Sequence, residues 1–424
     1  MRVLIVNTSE NTGGAAVAAN RLKDALNTNG VKAKMLVRDK VSDDITVVGL
    51  KESIRNRWNF LWDRFGIFRH LHFSKDHLWE IDTASCGTDI TKLREFKEAD
   101  VIHLAWINQG ILSLKGIRQI LRSGKPIVWT MHDFWPATGI CHYPGECDHL
   151  QTHCSNCPLL PGDGSSHDLS YKIWNKKKDL YKDENIYFVA CSNWLLKQVK
   201  ASGLFLGQRM LSIPNPIDTH LYHPMDKAEA RLRASLPEDK RLILFVSQKV
   251  TDARKGMNYF VKAVEQLVMA HPEMKENTGI ALLGGHSEEL AGSLPLPVYP
   301  LGYINDQRKI VCVYNSADVF VLPSLEDNLP NTIMEAMACG VPCVGFKVGG
   351  IPEMIDHQKT GYVAQPKDAS DLARGIDWVL HEADAGQLSQ SALHKVSVNY
   401  SKRVVALKYI EVYNEAIAFR KYKL

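Results

Sequence analysis

Two carboxylates, Asp327 and Glu335, stand with seven residues between them in the segment Val321–Pro342. Carboxylates set in a polar loop and on the helix behind it can accept hydrogen bonds from sugar hydroxyls. The apolar run Val319–Leu322 ends at Pro323, and the loop after it carries Glu326, Asp327 and Asn328. A helix is expected from Asn331 or Thr332 to Gly340, with Glu335 on its first turn. A plain alternative for Glu335 is a favourable interaction with that helix N-terminus. Lys255 lies in Arg254-Lys255-Gly256, soon after the apolar run Leu242–Val246. A lysine in a strand-to-helix loop is a natural phosphate ligand, and a solvated basic turn is the alternative. Gly13-Gly14 follows the run Val3–Val6 and precedes a small-residue helix, Ala15–Leu26. Such a pair lets backbone N–H groups approach an anion, or simply makes a tight turn. His132-Asp133 directly follows Ile127–Thr130, where ligands bind in open α/β sheets; a hydrogen-bonded loop histidine is the other reading. His103 lies inside a strand-like run and reads as a core histidine.

Four cysteines crowd together as Cys141-x5-Cys147-x6-Cys154-x2-Cys157, with His142, His149 and His153 among them. The spacing suits a tetrahedral structural zinc site. Reduced core or loop thiols and a redox or disulfide pair are the other readings. The remaining five cysteines are scattered and read as small hydrophobes.

The elements that would position these groups are visible in the periodicity. Short apolar, β-branched runs recur at Val3–Val6, Lys34–Val37, Val101–Leu104, Ile127–Thr130, Tyr187–Ala190 and Leu211–Ile213. A second set comprises Leu242–Val246, Ile280–Leu283, Val319–Leu322 and Pro342–Phe346. Such runs fit strands buried on both faces, and the helical patterns between them predict parallel α/β sheets in two domains. Ile213-Pro214-Asn215-Pro216 interrupts all periodicity, which places a hinge at 214–225. The expected division is 1–216, 217–400 and a terminal helical segment 401–424.

The chain has 424 residues, 45% hydrophobic and 23% charged, so disorder is excluded as its main state. Its longest uncharged run, Leu290–Asn305, holds 16 residues and three prolines, too short and too broken for a spanning helix. With no secretory signal visible, a cytoplasmic protein is expected. The net charge of +4 does not indicate nucleic-acid binding. Residues 1–216 carry 28 Lys/Arg against 22 Asp/Glu, so the first half is the basic one. Within it, Ile54, Trp58, Leu61, Trp62, Phe65 and Phe68 recur at helical spacing beside Arg55, Arg57, Arg64 and Arg69. This reads either as an amphipathic helix on an anionic membrane, with Lys176-Lys177-Lys178 adding charge, or as a helix packed on its own domain.

The string Pro323-Ser324-…-Asp327-…-Glu335-Ala336-Met337-Ala338-Cys339-Gly340-Val341-Pro342 resembles the signature of retaining GT-B glycosyltransferases of family 4. Gly13-Gly14, His132-Asp133, Ile213-Pro214-Asn215 and Lys255-Gly256 extend the resemblance along nearly the whole chain. The Met-His-Asp-…-Cys-His-Tyr stretch is similar to the colanic-acid-type and capsular branch. The resemblance implies two Rossmann-like domains with parallel sheets facing across a cleft, and a terminal helix crossing back to the first domain. It implies a nucleotide-diphosphate sugar donor, UDP or GDP first, and a glycan or lipid-linked acceptor in cell-surface polysaccharide synthesis. Glu335 would hold the ribose hydroxyls. The family's first acidic position falls on Asp327 with Glu326 adjacent, a departure that leaves either to face the donor sugar. Asn328 and Leu329 would offer backbone N–H groups. Lys255 would neutralise the diphosphate with Lys249 or Arg254, and Gly14 would approach it from the other domain. Tyr303 and Ile304 fall where such enzymes hold the nucleobase, and His132 would contact the transferred sugar or stabilise the transition state. Charge building on the leaving diphosphate would be met by Lys255 and N–H groups, so no cofactor is required for the chemistry. The leaving phosphate itself would deprotonate the acceptor, and closure about the hinge would exclude water. A catalytically silent nucleotide-sugar binder, an epimerase or a sugar-phosphate synthase are the alternative functions.

Overall fold

The computed structural model describes residues 1–51, 54–182 and 184–421, apart from the side chains of 55, 420 and 421. The expected contribution of Arg55 to a basic helix face, and the end of the terminal helix at Tyr422, therefore lie outside the described residues. The chain divides into two compact units, Met1–Pro216 with Val405–Leu424, and Ile217–Val404.

The first unit is built on seven parallel strands: β1 (Arg2–Ser9), β2 (Lys32–Asp39), β3 (Val47–Gly49), β4 (Val101–Leu104), β5 (Ile127–Met131), β6 (Ile186–Ala190) and β7 (Arg209–Ser212). Their order is β3-β2-β1-β4-β5-β6-β7. The second unit has β8 (Arg241–Lys249), β9 (Thr278–Gly285), β10 (Val298–Gly302), β11 (Val319–Leu322), β12 (Cys343–Phe346) and β13 (Gly361–Ala364), ordered β10-β9-β8-β11-β12-β13. Every adjacent pair is parallel. In each sheet the order reverses beside the first strand, between β1 and β4 and between β8 and β11. The connections diverge there and leave a crevice at the carboxyl ends of the strands.

Five interior strands, β4, β5, β6, β11 and β12, are buried along their whole length, as apolar runs demand when helices cover both faces. Three strands were not among the expected runs: β3, β10 and β13. β3 is only three residues long, β10 is an edge strand nowhere fully buried, and β13 pairs only with β12. None needs a continuous apolar run. Among the described residues no helix is long and apolar enough to cross a membrane.

The helix Lys402–Lys421 enters the first unit's core through Val405, Tyr409, Val412 and Tyr413. His103 on β4 is fully buried, and both its ring nitrogens are engaged. Nδ1 pairs with the Tyr413 hydroxyl at 2.6 Å and Nε2 with Thr130 Oγ1 at 2.7 Å. Thr130 Oγ1 also lies 2.8 Å from the Tyr409 hydroxyl. Burial pushes His103 down to about 3, so the ring is neutral. A buried polar group stripped of its partner costs about 1–3 kcal/mol. Tyr413→Phe should lower the stability of the first unit by that amount in urea unfolding; an unchanged midpoint would show that the hydroxyl does not anchor the helix.

Candidate functional site

In the second unit, both segments expected to carry chemistry start at the order reversal. β8 ends at Lys249, and a tight turn, Ala253–Lys255, leads through Gly256 into the helix Met257–Ala270. β11 ends at Leu322 and opens into the 323–330 loop. The two are joined closely. Gly256 has φ 76°, and a β-carbon there would sit 1.9 Å from the Pro323 carbonyl oxygen. Leu325 N–H donates to the Arg254 carbonyl at 2.8 Å, and the Arg254 guanidinium donates to the Glu326 carbonyl at 3.1 Å. On its other side the loop is held by Gly349-Gly350. Gly349 has φ 58°, a β-carbon there would lie 1.6 Å from the Asp327 carbonyl oxygen, and Gly350 N–H donates to the Asn328 carbonyl at 2.8 Å.

This stitching presents the Asp327 carboxylate to the Lys255 ammonium at 2.5 Å, with the Ser324 hydroxyl donating to the same oxygen at 3.2 Å. Asp327 and Glu335 are each only 8% exposed. Of the two acidic candidates, Asp327 meets Lys255, while Glu326 is half-buried beside it. An ammonium has three donors, so the ion pair leaves Lys255 able to bind further oxygens.

Glu335 is the fifth residue of the helix Asn331–Ala338, one turn further in than the sequence pattern implied. Its position is therefore not explained by the helix N-terminus, whose influence fades beyond the first turn. Its Oε2 accepts from the Tyr314 hydroxyl at 2.7 Å. Burial and the Glu335 carboxylate hold the Tyr314 phenol well above its usual range, so it stays a donor. Tyr314 was missed because it sits among apolar neighbours on the helix Gln307–Ser316, where nothing separates it from core. Gly349-Gly350 did leave a signal, a Gly pair just past β12.

The other candidates are placed differently. The Arg254 guanidinium serves the loop, and also lies 3.7 Å from Asp252. Lys249 is exposed at the end of β8. Tyr303 is exposed and Ile304 half-buried after β10. Asn328 and Leu329 are buried in the acidic loop.

In the first unit, Gly13 takes φ 88° ahead of the helix that starts at Gly14. The loop between them and β1 is tied down by Glu10, whose carboxylate accepts from the Val41 and Ser42 backbone. His132-Asp133 caps β5. Asp133 is buried and accepts from Trp106 Nε1 at 2.8 Å, His142 Nδ1 at 2.7 Å and the Trp135 N–H at 2.9 Å. Burial opposes its charge, but pairing with His142 and the N–H donors outweigh it and hold the carboxyl below the usual range. His142 and Trp106 stack with ring centroids 5.4 Å apart. His132 is half-buried, with Nδ1 3.4 Å from Cys191 Sγ. Burial pushes Cys191 well above the ordinary thiol range, so its S–H can donate to Nδ1 and leave the ring hydrogen on Nε2.

Cys141, Cys154 and Cys157 are buried and Cys147 is half-buried, and among the described residues no three of the sulfurs lie within 4.8 Å of one another. Two expectations are corrected in this unit. Lys177 is not part of a surface basic run: it is fully buried, donates to the Trp135 and Thr138 carbonyls at 2.5 and 3.0 Å, and lies 3.4 Å from the Trp135 ring centroid. Arg64 is also buried, paired with Asp63 and Asp82, and adds nothing to the exposed face of its helix.

Burial drives His132 down to about 4, with the Asp133 charge opposing. The folded value lies below the ordinary 6.5, so the neutral form is favoured. Its contribution to stability is complete above pH 6.5 and is lost as pH falls through about 4. In an NMR titration the His132 ring should show no imidazolium above pH 5; titration near 6.5 would contradict this environment.

The family model described as Glycosyl transferases group 1 matches residues 240–382, which include Lys255, Asp327 and Glu335. The chain is 29% identical over 195 residues to an uncharacterized glycosyltransferase of Methanocaldococcus jannaschii, covering 45% of this chain and 49% of that protein. It is 25% identical over 268 residues to the putative colanic acid biosynthesis glycosyl transferase WcaC of Escherichia coli K12, covering 62% and 61%. These matches thus span about half to three fifths of the relatives' own lengths. The solved structure of Anabaena HepE in complex with UDP superposes with a TM-score of 0.64 at 16% identity, covering 98% of this chain and all of that one. Residues 240–382 therefore match Glycosyl transferases group 1, within a chain whose two parallel-sheet units have the GT-B type of fold.

Proposed function

We propose that this protein is a retaining glycosyltransferase of family 4 that moves a sugar from a nucleoside-diphosphate sugar onto a growing, lipid-linked glycan of the cell surface. One observation carries the reading. The Lys255–Asp327 pair and the Tyr314-held Glu335 sit at the order reversal of the second sheet, inside the segment that matches Glycosyl transferases group 1. In an open α/β sheet that is where a nucleotide is bound.

The chemistry follows from those groups. The leaving nucleoside diphosphate gains charge in the transition state, and a fixed ammonium beside it lowers the barrier. Lys255 is held in place by Asp327, so little of this stabilisation is lost to reorganisation. Glu335 accepts hydrogen bonds from the ribose hydroxyls, and Tyr314 fixes the rotamer that presents them with a carboxylate oxygen. The buried loop at Asn328-Leu329 brings backbone N–H groups close to the donor. Attack occurs on the face from which the diphosphate leaves, and a leaving-phosphate oxygen takes the acceptor proton. In the first unit, the neutral His132 ring is a hydrogen-bond donor suited to a sugar hydroxyl rather than a cation. UDP is the first donor base to test, since a structural neighbour was solved with it.

A lipid-linked acceptor is favoured by the helix Ile54–His70. Trp58, Leu61, Trp62 and Phe65 are each about half exposed, and Arg57 and Arg69 lie exposed beside them. Exposed aromatic groups flanked by cations suit the interface of an anionic membrane.

A thermal-shift panel of UDP, GDP, ADP and dTDP should show selective stabilisation by one nucleoside diphosphate. Glu335→Ala should weaken that binding at least tenfold and also lower the ligand-free melting point, because the buried Tyr314 hydroxyl loses its acceptor, and Tyr314→Phe should weaken binding less. Undiminished affinity in Glu335→Ala would remove the ribose assignment. Binding of the nucleotide sugar with no release of nucleoside diphosphate to any acceptor would leave a silent binder. The double variant Trp62→Ser/Phe65→Ser should lose co-flotation with phosphatidylglycerol-containing vesicles while keeping its nucleotide shift; equal flotation would overturn the membrane face.

A further inference from the structure

The helix Met257–Ala270 ends at His271, and the helix Ala369–Asp377, which packs against it, runs into one π-helical turn, Trp378–Glu382. This brings two imidazoles and a carboxylate together within the second unit. His271 Nε2 lies 3.1 Å from Asp377 Oδ1, and His381 Nδ1 lies 2.7 Å from the same oxygen. The two rings are 5.0 Å apart between centroids and tilted by 32°. The three ligand atoms lie within 4.8 Å of one another, the one such set among the described residues.

Two hydrogen bonds to one carboxylate would account for the contacts alone. Two further features favour a cation. His271 Nδ1 faces Glu273 Oε1 at 3.4 Å, so an outer carboxylate stands beside the ring nitrogen that would be turned from the ion. Carboxylates stand in this place beside metal-binding histidines. The turn carrying His381 is also a π-helix, a rare geometry concentrated at functional sites.

We propose that His271 Nε2, His381 Nδ1 and Asp377 form a site for a divalent transition-metal ion, Zn²⁺ foremost, with water completing the coordination. Two imidazoles and one carboxylate suit zinc, nickel or cobalt, whereas calcium and magnesium want oxygen ligands throughout. With ligands about 2.0–2.2 Å from the metal, neighbouring ligand atoms stand about 3.3 Å apart. The His381–Asp377 contact would have to open by about 0.6 Å and the His271–Asp377 contact by about 0.2 Å. The helix leading to His271 begins just after Lys255-Gly256 and holds 14 residues, so the site is about 21 Å along it from the phosphate-facing lysine. The ion would thus clip two helices of the second unit together and take no part in the transfer.

The test uses the full chain, stripped with a chelator and titrated with Co²⁺ and Zn²⁺. Cobalt reports its ligands: visible absorption without a thiolate charge-transfer band marks imidazole and carboxylate. The expected result is one ion per chain, no thiolate band, and a melting point raised by about 5–10 °C at hundredfold excess over Kd. His271→Gln, His381→Gln and Asp377→Asn should each weaken binding at least tenfold, with the metal-free melting point and the nucleoside-diphosphate shift unchanged. Asp377→Asn serves as the control if either histidine variant is poorly folded. Wild-type affinity in the histidine variants, or no binding at millimolar metal, overturns the site. So does a thiolate band that vanishes in Cys154→Ser, which would assign the ion to the cysteine loop.

Discussion

The reversal of strand order between β8 and β11 is the constraint on which the second unit depends. Strands laid down on opposite sides of β8 send their connections apart, and the space between must be lined by the first loops to leave the sheet. One of those loops ends in a cation and the other in an anion. Their pairing, Lys255 to Asp327, satisfies two partly buried charges that would each be costly alone. The same contact fixes the position of the ammonium at the mouth of the loop. Backbone does the rest, through the carbonyls of Pro323 and Asp327 that lie against Gly256 and Gly349.

The first unit repeats the topology with different chemistry. Its carboxylate, Asp133, has no cationic side chain of fixed charge beside it. It is gathered by indole, imidazole and backbone N–H groups from beyond β4 and β5. The result is a rigid polar floor beneath His132, whose own ring is kept neutral by burial. One unit thus offers fixed charge and the other fixed dipoles.

Much of this was legible before the structure. Each of the ten apolar runs marks a strand, overshooting only at Ile213 and Pro342, because burial on both faces of most of them writes itself as unbroken hydrophobicity. Edge strands escape the same test, as β10 shows. The loop from Pro323 to Pro330 was readable because its residue types are unusual together. Other features were hidden because sequence reports composition and not neighbours. Lys177, between two lysines, carries the pattern of a solvated run, yet it is drawn inside by two carbonyls and an indole face. Arg64 lies on a helix of exposed aromatics but turns toward Asp63 and Asp82. Tyr314 is indistinguishable by pattern from the core it lies in.

The two glycines against carbonyl oxygens also limit how this fold can diversify. Any side chain at 256 or 349 must displace the Pro323 or Asp327 backbone before it can alter a surface. Such a change moves the cation and anion together with the loop, so it degrades every ligand equally and selects none. Tolerated variation is thereby channelled outward, to exposed side chains that can change without moving the main chain. A library of variants would draw its variety from such positions and leave the glycine-packed floor as common ground.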